Sequence, residues 1–500
     1  MSGHHREVVA SLEGRVLEAQ RAGAYGDIDL LTGFVIPRTR VVAEPAPGRP
    51  RPKPLRLRPE LGYSSKPVVG GPVTVAKRLA QRLTHHVVQD GLDQTMDALE
   101  RTETSSELRD AEIIRAMRTL LVYEAGRRQE LEERVAALAA ALGAGPAPAR
   151  PARVQQLLAA AVPHDAVTDQ TLAVDVLLRS WGHESSIYAE HVHPALEDRV
   201  GRIALRPVDP DAVLLRYSIW SQVVEDLLAV PPPRLGMIFH NVTPPQFFDG
   251  INEEVGALCE EGRSRIGELA GVTDIVVTDS AYDADDLARA GFGAVTVIPM
   301  LLDLGTAPAA RREPAGPPTV LSVGRLAPNK RIEVLIAAFT LYQRAYAPDA
   351  ELMLVGSSTG FEPYHDALVR FSERIGARNV NFLGMISSQE RDRLYREATV
   401  YGCTSSHEGF CAPLAEAMAA GLPVVAVDSA AVPETLGGGG LVLPEPDPRL
   451  IAEGLREVAV SPDLREAIRA GAAERLADFA PARVTESLRG VVGALLAGAP

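Results

Sequence analysis

The sequence predicts an α/β protein in which two doubly wound parallel-sheet domains follow one another, preceded by a mostly helical region of different character. Three observations carry this expectation. From Arg153 onward, short apolar runs alternate with stretches of helical periodicity, as βα units require. The alternation falls into two consecutive series of roughly 160 and 180 residues, each the size of one doubly wound domain. A chain of 500 residues also exceeds what one ordinary core fills, at about 150 residues per domain.

Residues 1–150 stand apart. Between Ile36 and Val87 there are eleven basic residues and two acidic ones, a local charge of +9 that leaves −23 for the rest of a chain whose net charge is −14. Seven prolines from Pro37 to Pro59 remove backbone donors and fix φ, so this tract is expected to be extended or disordered. Two readings stay open for 36–87: a solvated basic linker, or a surface that docks on anionic lipid or an acidic partner. Over 107–142 an apolar seam runs through Ile114, Met117, Leu121, Leu131, Val135, Leu138 and Leu142, with Glu124 and Arg128 in the two intervening positions. That helix either packs on its own chain or self-associates as a short coiled coil. GAGPAPARPA (Gly143–Ala152) breaks it and reads as a linker.

In the first α/β series VQQLLAAAV precedes a helical AVTDQTLAVDVLLRSWG, and SSIYAE, AVLLRYS, RLGMIFHNV, TDIVVTDS and AVTVIP read as further strands. The second series brings TVLSVGR, a helix over Ile332–Tyr346, then ELMLVGS, VNFLG, TVYGCTS and PVVAVDS. Folds of this kind bind ligands beyond the carboxyl ends of the strands, at the switch point or in the cleft between domains. No repeat of solenoid length is present.

The balance of 46% hydrophobic and 23% charged residues excludes a wholly disordered chain. The negative net charge disfavours nonspecific nucleic-acid binding. Three cysteines, Cys259, Cys403 and Cys411, are too few for a disulfide framework, and no C-x-x-C or His/Cys spacing suggests zinc. MSGHHREVVASLEGR lacks the apolar stretch of a secretion signal, and no apolar run reaches the roughly 18 residues of a membrane span. These features predict a soluble, cytoplasmic protein.

Two motifs carry chemistry. VLSVGRLAPNKR places Gly324, Arg325 and Lys330 just past a strand. Asn329 is expected to cap the next helix, with Lys330 in its first turn. Cations gathered at a helix N-terminus make sense if an anion such as a diphosphate binds there; taken alone, they are also compatible with ordinary surface charge. In SSHEGFCAPLAEAMAAGLPVVA, Glu408 and Glu416 are separated by seven residues across a strand–loop–helix turn. Gly409 permits close backbone approach and Pro413 suits the first helical turn. The N–H groups of Phe410, Cys411 and Ala412 are then placed to meet a phosphate or sugar oxygen, and Glu416 to accept from a ribose diol. Alternatively, both glutamates complement the helix dipole.

Together with LMLVGS, VNFLGMIS and the PET of AAVPETLGGGGLVLP, these motifs resemble the retaining nucleotide-sugar glycosyltransferases of the glycogen-synthase-like superfamily, family 4. Their GT-B fold has two Rossmann-like domains facing a cleft. The resemblance covers about 317–455 and extends more faintly to DAVTDQTLAVDVLLRSWGHESSIYAE, YSIWSQ and IFHNVTPPQFF. It implies an N-terminal acceptor-side domain over 153–315, a C-terminal donor-side domain over 316–480 and a last helix over 481–500 returning to the first domain.

By position, the resemblance makes Arg325 and Lys330 neutralise the donor diphosphate and Glu416 hold the ribose. Glu408 and the backbone of Gly409, Phe410, Cys411 and Ala412 would contact the sugar and its phosphate. His240 would reach the sugar across the cleft, and Met385 and Ile386 would flank the nucleobase. One departure stands out: the Gly-Gly loop that many relatives carry after the first strand reads VPHDAVTDQ here, with His164 and Asp165 and no glycine.

The implied reaction moves a sugar from a nucleoside-diphosphate donor to the hydroxyl of a glycan, lipid-linked or small-molecule acceptor. It proceeds with retention, without a metal and with no cofactor besides the donor. DID (Asp27–Asp29) and DPD (Asp209–Asp211) follow no suitable strand and read as surface turns. A sugar-nucleotide epimerase or hydrolase, a non-catalytic scaffold subunit and a cofactor-dependent phosphorylase remain as alternatives. With lipid-linked acceptors, the basic tract 36–87 would hold the enzyme at the inner membrane face.

Overall fold

The computed structural model describes residues 3–25, 150–163, 165–302, 304 and 316–498. The basic tract 36–87, the seam 107–142, Asp27–Asp29 and His164 lie outside the described residues.

The chain opens with helix α1 (Gly3–Arg21) and resumes as a βα alternation. The first lobe contains β1 (Arg153–Ala161), α2 (Ala166–Ser180), β2 (Glu184–Val192), β3 (Val200–Arg202), β4 (Ala212–Tyr217), α3 (Gln222–Ala229), β5 (Leu235–Phe239), α4 (Glu253–Arg265), β6 (Ile275–Thr278), α5 (Ala281–Arg289) and β7 (Thr296–Val297). Its seven strands are parallel, in the order β3-β2-β1-β4-β5-β6-β7. Val154 pairs with Ser185 on one side and Ala212 on the other, so the direction of winding reverses at β1. β4 is buried along its whole length, as a central parallel strand covered on both faces must be. It carries Arg216 inward, where the guanidinium donates to Gln156 and Gln170 at 2.6 and 3.1 Å. Burial without a hydrogen-bonded carboxylate pushes Arg216 down to about 10, despite the nearby charge of Asp279.

The second lobe contains β8 (Thr319–Val323), α6 (Ile332–Ala345), β9 (Glu351–Val355), α7 (Glu362–Arg374), β10 (Val380–Gly384), α8 (Ser388–Glu397), β11 (Val400–Cys403), α9 (Ala412–Ala419), β12 (Val424–Val427), α10 (Val432–Leu436), β13 (Leu441–Leu443), α11 (Pro448–Val460) and α12 (Pro462–Leu476). Its six parallel strands run β10-β9-β8-β11-β12-β13, reversing at β8. α6 is buried on every side from Ile332 to Gln343, between the sheet and α11. Two such lobes make the GT-B arrangement. β3 and β13, three residues each, are strands the periodicity of the sequence does not announce.

Each lobe is completed from the far end of the chain. The last helix, α13 (Pro481–Ala497), buries Val484, Leu488, Val492 and Leu495 with Val154, Leu214 and Ile238 of the first sheet. α1, which falls within the auxiliary N-terminal region expected over 1–150, docks on the second lobe. Val9, Leu12, Val16 and Ala19 recur at helical spacing and are buried with α11 residues in one core. Behind them Glu453, fully buried, accepts from Tyr25 Oη at 2.5 Å and Arg15 Nε at 3.2 Å, and from the Tyr346 hydroxyl. Three donors offset the cost of burying that carboxylate. Among the described residues no helix is long and apolar enough to cross a membrane.

Candidate active site

The switch point of the second sheet lies between β8 and β11, and the loops leaving these two strands build a pocket there. Three neighbouring strands end on a glycine with positive φ: Gly324, Gly356 and Gly384. The middle one is obligatory, since a Cβ on Gly356 would lie 1.9 Å from the Gly324 carbonyl oxygen. This backbone-to-backbone approach lets the chain after β8 turn across the strand ends. The pocket, with a cavity volume of about 10 Å³, is lined by Gly324, Arg325, Lys330, Thr404, Ser405, Glu408, Cys403 and Cys411, among others.

Lys330 is not in the first turn of α6 and Asn329 does not cap that helix. Pro328–Lys330 form a separate 3₁₀ turn, and Arg331, left-handed at φ 50°, stands at the helix N-cap without a side-chain bond. Asn329 is used otherwise: its amide donates to the His407 carbonyl at 3.1 Å and its own carbonyl accepts from Ser406 N at 2.8 Å. Thr404 Oγ1 donates to the carbonyls of Lys330 and Arg331. These bonds stitch the Lys330 turn to the loop that carries Glu408.

Within that frame Lys330 Nζ donates to both Glu408 oxygens, at 2.6 and 2.7 Å. Burial works against both charges, but their mutual attraction wins, so Lys330 is held above its usual value and Glu408 below. An ammonium has three N–H donors; two go to Glu408 and one remains for a ligand. Arg325 is exposed, has no ion pair among the described residues and lies 5.9 Å from the Phe361 ring centroid.

α9 begins at Cys411, left-handed at φ 66° and without a side-chain cap. Among the described residues the N–H groups of Phe410, Cys411 and Ala412 have no hydrogen-bond partner, which makes the turn an open anion-binding end. The Phe410 ring points away, edge-on to Phe479 at 5.2 Å. Glu416 stands outside this pocket's lining and is held in place: Tyr395 Oη donates to it at 2.8 Å and Arg391 Nη1 lies 3.6 Å from its other oxygen. Met385, 48% exposed, and Ile386, partly buried, follow β10 and precede α8, the helix that supplies Arg391 and Tyr395.

The first lobe meets this loop at Gly409. A Cβ there would lie 2.7 Å from Asn241 Cβ, 2.9 Å from Asp283 Oδ2 and 3.3 Å from the His240 carbonyl oxygen. His407 Nε2 and Asn241 Oδ1 are 2.7 Å apart, and the Asn241 amide donates onward to Asp283. His240 therefore sits beside the loop of Glu408. Its Nδ1 lies 2.7 Å from Asp279 Oδ2, both side chains nearly inaccessible, while Nε2 has no partner. Glu434 of the PET segment caps α5 across the lobes, accepting from Ala281 N and Tyr282 N at 2.7 and 3.1 Å. In the loop after β1, Asp165 caps α2 through Thr168 N.

The structure thus gathers Gly324, Arg325, Lys330, Glu408 and Cys411 into one pocket, with His240 and Gly409 at the lobe junction. Met385, Ile386 and Glu416 lie outside the pocket lining. Asp279, Tyr395 and Arg391, which orient two of the groups named from sequence, His240 and Glu416, carry no motif of their own. Cys403, Glu408 and Cys411 bring a sulfur, a carboxylate oxygen and a second sulfur within 4.8 Å of one another. In that group both Glu408 oxygens are already engaged by Lys330.

Known proteins match the same region. The family model "Glycosyl transferases group 1" matches residues 306–475. The O-antigen chain mannosyltransferase B of Escherichia coli is 34% identical over 124 residues, 24% of this chain and 32% of that protein. The D-inositol 3-phosphate glycosyltransferase of Saccharomonospora viridis is 30% identical over 250 residues, 46% of this chain and 58% of that one. The chain therefore spans well under two thirds of these relatives. Among solved structures, Anabaena Alr3699/HepE in complex with UDP-glucose superposes with a TM-score of 0.56 at 18% identity, over 69% of this chain and all of that one. Sucrose-phosphate synthase from Thermosynechococcus elongatus does so at 0.57 and 20% identity, over 69% and 99%. Residues 306–475 thus match the glycosyl transferases group 1 family, within a chain that has the GT-B fold.

Proposed function

We propose that the protein transfers a sugar from a nucleoside-diphosphate sugar to an acceptor hydroxyl, with retention at the anomeric carbon and without a metal ion, as a family 4 enzyme. The observation that carries this reading is the pocket itself, which gathers Arg325, Lys330 with one proton not taken by Glu408, and Cys411 at the start of α9. Because Lys330 and Glu408 neutralise each other, the net positive field there comes from Arg325 and the helix end. Those groups stabilise charge that builds on the departing diphosphate. Glu408, fixed by Lys330, is placed to accept from a sugar hydroxyl, and Glu416, fixed by Tyr395, from the ribose.

Retention by two displacements would require a free carboxylate facing the anomeric carbon. Glu408 is committed to Lys330 and Asp279 to His240, which favours a same-face transfer in which the leaving phosphate takes the acceptor proton. The proteins it resembles bear names that include mannose, inositol phosphate and UDP-glucose, so UDP- and GDP-sugars are the first donors to try.

Thermal shift across UDP-, GDP-, ADP- and TDP-sugars should show one donor raising the melting temperature with concentration. NMR of the product should show an unchanged anomeric configuration, with turnover surviving EDTA. No shift with any donor, or an inverted product, would overturn the assignment. We further infer a cytoplasmic enzyme acting on glycan or lipid-linked acceptors, attracted to anionic membrane through 36–87. Flotation on anionic liposomes should fall when 36–87 are removed and α1 is kept; undiminished flotation removes that attachment.

A further inference from the structure

Two thiols share the pocket wall. Cys403 closes β11 and Cys411 opens α9; both are free, 5% and 8% exposed, and both line the pocket. Their sulfurs lie within 4.8 Å of each other. The remaining cysteine, Cys259, is buried on α4 outside this wall.

We propose that Cys403 and Cys411 form a modification site, which a peroxide converts to an intramolecular disulfide that closes the donor pocket. The closure rests on the donor-site reading above; the modification does not. Lys330 lines the same pocket as the two sulfurs, a cation that favours a thiolate there. Cys403 takes one oxygen from hydrogen peroxide as the O–O bond breaks, giving a sulfenic acid; the released hydroxide and the thiol proton leave as water. The Cys411 sulfur then displaces the hydroxyl, which leaves with the Cys411 proton as a second water. Two thiols and one peroxide give one disulfide and two waters, and two electrons pass from sulfur to oxygen.

The bond draws the sulfurs to about 2.05 Å. Cys411 must move toward β11, and the N–H groups of Phe410 and Ala412 and the carboxylate of Glu408 move with it.

The test treats the full-length protein with hydrogen peroxide, maps its thiols by mass spectrometry and measures UDP and GDP binding by calorimetry before and after. The expected result is loss of two hydrogens, a fall from three free thiols to one, and a linked Cys403–Cys411 peptide. Nucleotide affinity should fall about tenfold or more, with dithiothreitol reversing both changes. Cys403→Ser should form no link and bind nucleotide equally before and after peroxide. Survival of all three thiols, a link to Cys259, or arrest at a sulfinic or sulfonic acid overturns the site. A linked pair with unchanged nucleotide affinity overturns the closure. A linked pair in a chain that binds no nucleoside diphosphate when reduced supports the site and counts against the donor reading.

Discussion

Lys330 and Glu408 hold each other by two hydrogen bonds in one wall of the pocket, with side chains 22% and 8% exposed. Neither charge can be removed without stranding the other. Lys330→Ala leaves the more deeply buried carboxylate alone and is expected to cost about 2–4 kcal/mol, whereas Glu408→Ala leaves an ammonium that can reach water and should cost about 1–2 kcal/mol. Both should lower transfer at least about a hundredfold. Urea unfolding beside turnover checks the order, and equal stability losses would contradict it.

Tyr395→Phe removes the donor that fixes Glu416 while leaving the ring in place. If Glu416 holds the ribose, donor KM should rise about fivefold, the worth of one hydrogen bond of about 1 kcal/mol, with kcat little changed. A drop confined to kcat would place Glu416 elsewhere in the reaction.

Gly409→Ala forces a Cβ into Asn241 and Asp283 of the other lobe. The lobes must part by a fraction of an ångström, which is expected to cost about tenfold or more in kcat through misplacement of reacting groups. Steady-state kinetics with a melting curve separates this from unfolding; wild-type kcat would show that the junction yields freely.

Burial pushes Asp283 up to about 8, although the Asn241 amide donates to it. The folded state therefore stays protonated where the unfolded chain, near 3.8, ionises. A native state that binds more protons loses stability as pH rises, here between about 4 and about 8. Asp283→Asn cannot ionise, so it should gain on the wild type across that window and level off above it. His407, pushed down to about 4 mainly by burial, gives an opposite slope below 6.5, but it is common to both proteins and cancels in the difference. Denaturant midpoints at pH 4, 6 and 8 read the effect, and a constant difference defeats it.

Leu12, fully buried beneath α11, ties α1 to the second lobe. Leu12→Ala is expected to cost about 2–5 kcal/mol and to speed proteolysis near Tyr25. Unchanged stability would mean that α1 is an appendage.

The two sheets were legible because most of their strands are apolar runs set apart by helices, and the meeting of Arg325, Lys330 and Glu408 in one pocket because they sit in motifs at strand ends. The groups that orient His240 and Glu416 were not. Asp279 is 39 residues from His240 and Tyr395 is 21 from Glu416; only the winding order of the strands brings them together. β3 and β13 are too short to alternate, and β13 follows a run of four glycines that reads as loop. The apolar spacing of α1 is visible in the sequence, but its partner Glu453 lies 428 residues beyond Tyr25. Asn329 looked like a helix cap because local rules take no account of the β11 loop that claims its amide.

The crossing of α1 and α13 sets an order of events during synthesis. α1 is made long before α11, the surface that covers it, and the first sheet is made long before α13. Neither lobe can reach its finished core until both distant helices have left the ribosome, so a pause before Pro448 would leave two half-covered sheets. Chaperone demand should therefore track the delay between α1 and α11 more closely than the size of either lobe.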